Sequence, residues 1–224
     1  AAGADALLVH HGYFWKGEDP CVTGMKRRRL AGLLAADMSL LAYHLPLDAH
    51  PELGNNAQLG QVLGFPVEGW FGDGRGPALA CHGPLPTGLS GADCAAVIAA
   101  ALGRPPQFVA GGTQPIRRIG WCTGAAQSYI EAAAALGLDG FISGELSEPT
   151  VHVARECGIH YFAAGHHATE RYGARALGEH LAQRFGLAGK CLRHDRVALQ
   201  VAIGKSGDVH LRRLPGVLGA DHVD

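Results

Sequence analysis

No two cysteines in this chain have CxxC spacing: Cys21, Cys81, Cys94, Cys122, Cys157 and Cys191 are scattered, several in apolar stretches such as Trp121-Cys122. That excludes the paired-cysteine metal and redox motifs and reads as reduced thiols in a cytoplasmic protein. No apolar run reaches the roughly 18 to 20 residues that a membrane-spanning helix needs, and no charged-then-apolar leader opens the chain, so neither membrane anchoring nor secretion is expected. Net charge is nearly absent: 19 Lys plus Arg against 20 Asp plus Glu leave −1, no global field to draw nucleic acid or an anionic membrane. The one basic run, residues 26–29, reads as a solvated helix face. A phosphate loop is missing too, because Gly204-Lys205-Ser206 has Leu199 where a Walker motif requires glycine. An initial Met is also lacking; the chain begins at Ala1 on the approach to a strand, and a preceding segment is expected.

What is present suffices for a core. The 224 residues are 47% hydrophobic, enough for one large or two small domains. Apolar runs alternate with helical patterns, which favours an α/β fold with a parallel or mixed sheet covered by helices. Strands are expected at 6–9, 40–43, 107–110, 116–122, 140–143 and 160–164. Helices are expected at 24–36, 56–63, 92–102, 125–136, 148–157 and 167–185. Gly and Pro crowd 69–88 and break any long element there. The expected organisation is an N-terminal αβ half over 1–68, a connection over 69–88, a C-terminal αβ half over 89–189 and a tail over 190–224. In the tail, apolar runs at 197–203 and 209–214 flank a Gly-Lys-Ser-Gly turn and read as a hairpin.

Histidine is abundant, at 13 residues, and its placement is informative. His10-His11 follow the run Ala6-Leu7-Leu8-Val9, His44 to Asp48 follow Leu40-Leu41-Ala42-Tyr43, and His166-His167 follow Tyr161-Phe162-Ala163-Ala164-Gly165. Three groups of metal-ligand residue types therefore lie just past three expected strands, at the kind of sheet edge where α/β proteins bind ligands. In GHHATE, His166 and Glu170 are four apart and share one helical face. Imidazole nitrogen with carboxylate oxygen suits Zn, Fe, Mn or Ni better than Ca or Mg. Two carboxylates among five ligands, Asp48 and Glu170, supply the bridging and charge that a pair of divalent ions needs, and such a pair activates water at neutral pH. Taken singly, each histidine group is as readily a surface or packed feature; together after three strands they read as a metal site.

Other residues are weaker candidates. His44 and His50 flank Asp48, as orienting groups, proton carriers or plain surface histidines. Glu145, past the strand at 140–143, is a candidate general base or an acceptor for a ligand histidine, and His152 reads as packed in a helix. Tyr13, Phe14 and Trp15 are core aromatics or a stacking surface for a planar ring. The turn Thr123-Gly124 offers backbone N–H groups for an anion.

The stretches VHHGYFWKGE (9–18), YHLPLDAHPELGNNAQL (43–59), SGELSEPTVHVARECG (143–158) and AAGHHATERYGARAL (163–177) resemble the YbgI-like dinuclear-metal-centre proteins, the GTP cyclohydrolase I type 2 homologues. The likeness runs from residue 4 to about 186 and keeps the order of the four motifs. It implies the same five metal ligands, His10, His11, Asp48, His166 and Glu170, and two divalent transition-metal ions per chain. It implies two αβ halves with mixed sheets flanked by helices around that site, in a ring-shaped homo-hexamer. The function it implies is a metal-dependent hydrolase of the GTP cyclohydrolase kind, cleaving a cyclic C–N bond in a small-molecule substrate such as a purine nucleotide. Glu145 and His44 would assist catalysis. The rival reading is a non-catalytic metal-binding ring that serves as scaffold or regulator. Two departures stand out: the strand and helix that usually precede the His10 motif in the family are not in this sequence, so either the first sheet lacks an edge or the sequence is incomplete, and the tail from about 190 is longer than in compact members.

Overall fold

The structure, a computed structural model, describes residues 4–74, 76–194 and 197–204. The first elements are β1 (Ala6–Val9), α1 (Gly24–Ala35), β2 (Ser39–Ala42), α2 (Leu45–Ala49), α3 (Asn55–Leu63), β3 (Gly69–Phe71) and β4 (Ala80–Leu89). There follow α4 (Gly91–Leu102), β5 (Gln107–Val109), β6 (Ile116–Trp121), a 3-10 turn (Gln127–Tyr129), α5 (Ile130–Ala135), β7 (Gly140–Ser143) and α6 (Glu148–Glu156). The last are β8 (His160–Ala163), α7 (His166–Glu170), α8 (Tyr172–Phe185), β9 (Ala188–His194) and β10 (Val197–Gly204). The fold is mixed α/β with two sheets flanked by helices, as expected.

The chain divides into two compact units: the described residues of Ala1–His44 with those of Ala174–Asp224, and Leu45–Gly173. The division differs from the one expected at residue 68, because the last strands pair back onto the first. In the first unit the sheet order is β2-β1-β10-β9, with β1 parallel to β2 and the other pairings antiparallel. The expected strand at 197–203 is β10, and its partners are β1 and β9; the segment 209–214 lies outside the described residues. Ala4, Leu7, Leu33 and Met38 form a small core here, with Tyr13 and Leu40 packed against it.

The second unit holds a six-stranded sheet, β3-β4-β6-β7-β8-β5, in which β6, β7 and β8 run parallel. Alternation of side chains along the strands serves both faces. Ile142 and Phe162 pack with Leu59, Leu63, Ile98 and Leu102 of α3 and α4, while Phe141 and Tyr161 pack with Ile130, Ala133 and Ala154 of α5 and α6. A strand covered on both faces reads as a near-continuous apolar run, which is why β7 and β8, buried at every position, were visible in the sequence. Each such buried Phe or Ile contributes about 1.5–3 kcal/mol of transfer free energy.

The Gly/Pro-rich stretch 69–88 is not a bare connection: it forms β3 and most of β4. Proline is tolerated in β4 because β3 covers only Ala80, Cys81 and His82, so Pro84 and Pro86 fall where the strand has an open side, and the ladder to β6 shifts register between Pro84 and Leu89. The helix expected at 167–185 is broken at Arg171. There the N–H of Gly173 donates to Asn55 Oδ1 at 2.8 Å instead of to a helical carbonyl. The helix expected at 125–136 opens as a 3-10 turn, with the Ala126 N–H donating to Ser143 Oγ at 3.2 Å.

Candidate metal centre

In the first unit β1 and β2 are parallel with Val9 opposite Ala42. Carried two residues on, that register sets His11 beside His44. His10 is buried, and its Nδ1 donates to the Tyr43 carbonyl at 2.9 Å, which assigns the proton to Nδ1 and the lone pair to Nε2. Ring centroids are 4.7 Å apart for His10 and His11, 5.0 Å for His10 and His44, and 5.1 Å for His11 and His44. One nitrogen from each of the three lies within 4.8 Å of the others. The Trp15 ring stands nearly perpendicular to His44 at 5.0 Å and to His11 at 5.8 Å.

The second unit carries Asp48, His166 and Glu170. His166 and Glu170 span α7, and His166 Nε2 lies 2.8 Å from Glu170 Oε2. On the other side of the ring, Nδ1 donates to Glu145 Oε1 at 2.6 Å. Glu170 first, with burial opposing and Glu145 adding, raises the His166 pKa to about 9. Gly124 has φ +68°, and a Cβ there would overlap Glu170 Oε1 and sit 3.3 Å from His166 Nε2; the absent side chain is what lets this pair seat. Asp48, in α2, is 6% exposed. Its Oδ1 accepts from Asn55 Nδ2 at 2.9 Å and from Thr123 Oγ1 at 3.4 Å. Burial, then the charges of Asp48, Cys81 and Glu170, push the Cys122 thiol well up, so both carboxylates act on one point at the end of β6.

Of the expected residues, His10 and His11 are thus gathered with His44 in one unit, while His166, Glu170, Glu145 and Asp48 belong to the other. The expectation that three groups share one sheet edge is corrected: β1 and β2 belong to one sheet and β8 to another, and Asp48 sits within a short helix. His50 Nδ1 accepts from the Glu52 and Leu53 N–H groups at 3.2 and 3.1 Å, stapling a turn. His152 is exposed on α6, not packed. Tyr13 packs on the small core, Phe14 lies under the Lys26 ammonium at 4.5 Å, and Trp15 alone of the three meets the histidines. The Thr123-Gly124 turn is no anion cradle. Its N–H groups donate to Asn56 Oδ1 at 2.9 Å and Thr169 Oγ1 at 3.1 Å.

Asn55, Asn56 and Thr169, all fully buried, were not singled out in the sequence. Asn56 Nδ2 donates to the Asp48 carbonyl at 3.3 Å and its own carbonyl accepts from Trp121 Nε1 at 2.8 Å. Their partners are remote in the chain, so only their polarity inside a helical pattern hinted at a role. The donor set, imidazole nitrogen with carboxylate oxygen and a glycine that leaves room for the carboxylate, fits borderline divalent ions.

A sequence model of the family described as Duf34/NIF3 (NGG1p interacting factor 3) matches residues 1–194. A Pseudomonas aeruginosa protein named GTP cyclohydrolase 1 type 2 homolog is 59% identical over 186 residues, 83% of this chain and 73% of that one. Among solved structures, one described as protein ybgI of unknown function matches with a TM-score of 0.76 at 54% identity, covering 81% of this chain and 72% of that chain. A Thermus thermophilus protein matches with a TM-score of 0.70 at 33% identity, covering 81% and 71%.

Proposed function

This chain belongs to the Duf34/NIF3 family, and from that premise we propose that it binds two divalent transition-metal ions and hydrolyses a cyclic C–N bond in a small molecule. The ligands in this reading are His10, His11, Asp48, His166 and Glu170, and the ions are Zn, Fe, Mn or Ni. The observation that carries it is His166 held between two carboxylates, Glu145 at 2.6 Å and Glu170 at 2.8 Å. A carboxylate behind an imidazole is the arrangement that fixes a ligand histidine's tautomer and raises its basicity. The chain crosses between its units at His44/Leu45 and at Gly173/Ala174, so candidate ligands flank both crossings.

Each residue then has a task. Glu145 orients His166 by accepting its Nδ1 proton, which makes it a positioning residue in preference to a general base. Asn55 and Thr123 hold the Asp48 carboxylate, and Gly124 clears space for Glu170. Trp15, 44% exposed beside His11 and His44, is the aromatic available to a planar substrate ring. Divalent ions bound to such ligands lower the pKa of water and polarise the bond under attack. The substrate class follows the relatives' name, GTP cyclohydrolase 1 type 2 homolog, toward purine nucleotides and cyclic amides. Among the described residues no helix is long and apolar enough to cross a membrane. Assembly as a homo-hexameric ring is part of the reading; exposed Phe14, Met25 and Leu34 on the first unit are apolar surface of the kind that association covers.

The test is incubation of metal-loaded protein with GTP, other nucleotides and cyclic amides, read by mass spectrometry, beside light scattering for the assembly. Ring-opened product from wild type, lost in a folded Asp48→Asn variant, is expected. Two bound ions with no turnover across the panel would end the hydrolase reading in favour of a non-catalytic metal-binding scaffold or regulator.

A further inference from the structure

We propose that Arg104, Arg171 and Tyr172 form an oligophosphate-binding face on the second unit, on the side of α7 turned away from His166 and Glu170. The ligand is an oligophosphate, carried by a nucleotide or free; the nucleotide as carrier rests on the reading above, whereas the site itself does not.

The placement follows from helical geometry. His166 and Glu170 share the side of α7 that meets Gly124, while Ala168, two positions from each, lies about 200° round the helix from both. A Cβ on Gly165 would sit 3.4 Å from Ala168 Cβ and 2.9 Å from Arg104 Cζ, and would overlap Arg104 Nη1. The Arg104 guanidinium therefore packs on the Gly165 backbone on the Ala168 side, and the glycine, at φ +101°, leaves it the room. Arg171 directly follows α7. Its Nη2 donates to the Leu102 carbonyl at 3.4 Å and to Tyr172 Oη at 3.2 Å. Leu102 is the last residue of α4, two before Arg104, so the two guanidinium groups approach one junction of α4 and α7 from different elements.

The charge there is uncompensated. Among the described residues neither arginine is paired with a carboxylate, and the acid of α4, Asp93, is in its first turn, bonded to Ser90. What opposes the two guanidinium groups is the C-terminal end of α4, worth about half a charge, so a net positive field remains. Hydrogen-bond capacity remains as well. Nη2 carries both Arg171 bonds, which leaves Nε and Nη1, and exposed Arg104 donates to no described residue. Tyr172 Oη accepts from Arg171 and keeps its own proton to donate. A guanidinium fork matches phosphate oxygens two at a time. Two such charges call for a ligand that carries several, which an oligophosphate does and a single carboxylate does not.

The experiment titrates the metal-free full-length chain with inorganic tripolyphosphate, GTP and guanosine by calorimetry; without metal, no ion on the other side of α7 can take up phosphate. Tripolyphosphate and GTP should bind wild type. Arg104→Ala, at an exposed position, should weaken both by at least about tenfold, with circular dichroism unchanged and guanosine unaffected. Arg104→Lys keeps the charge without the fork and should recover part of the loss, and Arg171→Gln should weaken both phosphate ligands again. GTP held more tightly than tripolyphosphate would assign the site to a nucleotide, and equal affinities to oligophosphate as such. No tripolyphosphate binding by wild type, or equal binding by wild type and Arg104→Ala, overturns the proposal. Metal-loaded protein that turns over no nucleotide yet holds tripolyphosphate through Arg104 would end the hydrolase reading and leave this site standing. Turnover of GTP with no Arg104-dependent phosphate binding would do the reverse.

Discussion

Glu145 Oε1 lies 2.6 Å from Nδ1 of His166, a residue 21 positions on along the chain. The contact joins the turn after β7 to the start of α7 and fixes which nitrogen of His166 faces Glu170. Glu145→Ala should therefore weaken metal binding by about 10–100-fold, while Glu145→Gln, which still accepts the Nδ1 proton, should lose less. Calorimetric titration with Zn or Mn checks both, and an alanine variant with wild-type affinity would refute the positioning role.

Gly124 makes a sharper prediction because two costs fall on one atom. At φ +68° an L side chain is strained by about 1–2 kcal/mol, and a Cβ would lie 2.9 Å from Glu170 Cδ. Gly124→Ala should lower the melting temperature and reduce bound metal per chain, with far-UV circular dichroism near that of wild type. Full metal content in the variant would show that Glu170 does not depend on this gap.

Asp48 separates ligation from stability. Asn55 donates Nδ2 to the Asp48 carboxylate at 2.9 Å and accepts from the Gly173 N–H at 2.8 Å. Asp48→Ala strands a buried amide at a cost of about 1–3 kcal/mol, or roughly 2–4 °C of Tm per kcal/mol. Asp48→Asn keeps an acceptor there, so it should melt close to wild type and still lose metal. Equal melting temperatures for the two variants would show that the Asn55 bond contributes little.

Burial pushes the thiols of Cys81 and Cys94 up to about 12 from an ordinary 9.0. Between those values the folded chain keeps protons that the unfolded chain releases, so stability is whole below about 9 and falls as pH climbs toward 12. The slope approaches about 1.4 kcal/mol per pH unit for each thiol. Urea midpoints from pH 8 to 10.5 test this, with Cys94→Ala expected to flatten the decline. In alkylation at pH 8, Cys21 and Cys157, both exposed, should be labelled in the native state, while Cys81 and Cys94 should require unfolding.

Much of the local structure was legible because it obeys local rules. β1 and β7 occupy the residues expected for them, 6–9 and 140–143, and α4 begins at its Ser90 cap, which accepts from the Asp93 N–H. The i, i+4 pairing of His166 and Glu170 followed from helical spacing and is met in α7. β3 and β4 were hidden by glycine and proline, whose usual meaning is a break; only the short span of β3 shows why Pro84 and Pro86 are harmless.

The chain by itself determined which segments bury themselves and which residue types could meet a metal, since hydrophobic periodicity and donor chemistry are properties of a few neighbouring residues. Tertiary structure alone decided that β1 and β2 join β10 in a sheet apart from β8, that His44 stands with His10 and His11, and that Asn55 reaches 118 residues forward to Gly173. The reason is physical: a strand's apolar face does not name its partner, and backbone donors and acceptors are identical along every chain, so pairing is chosen by the packing of the whole fold.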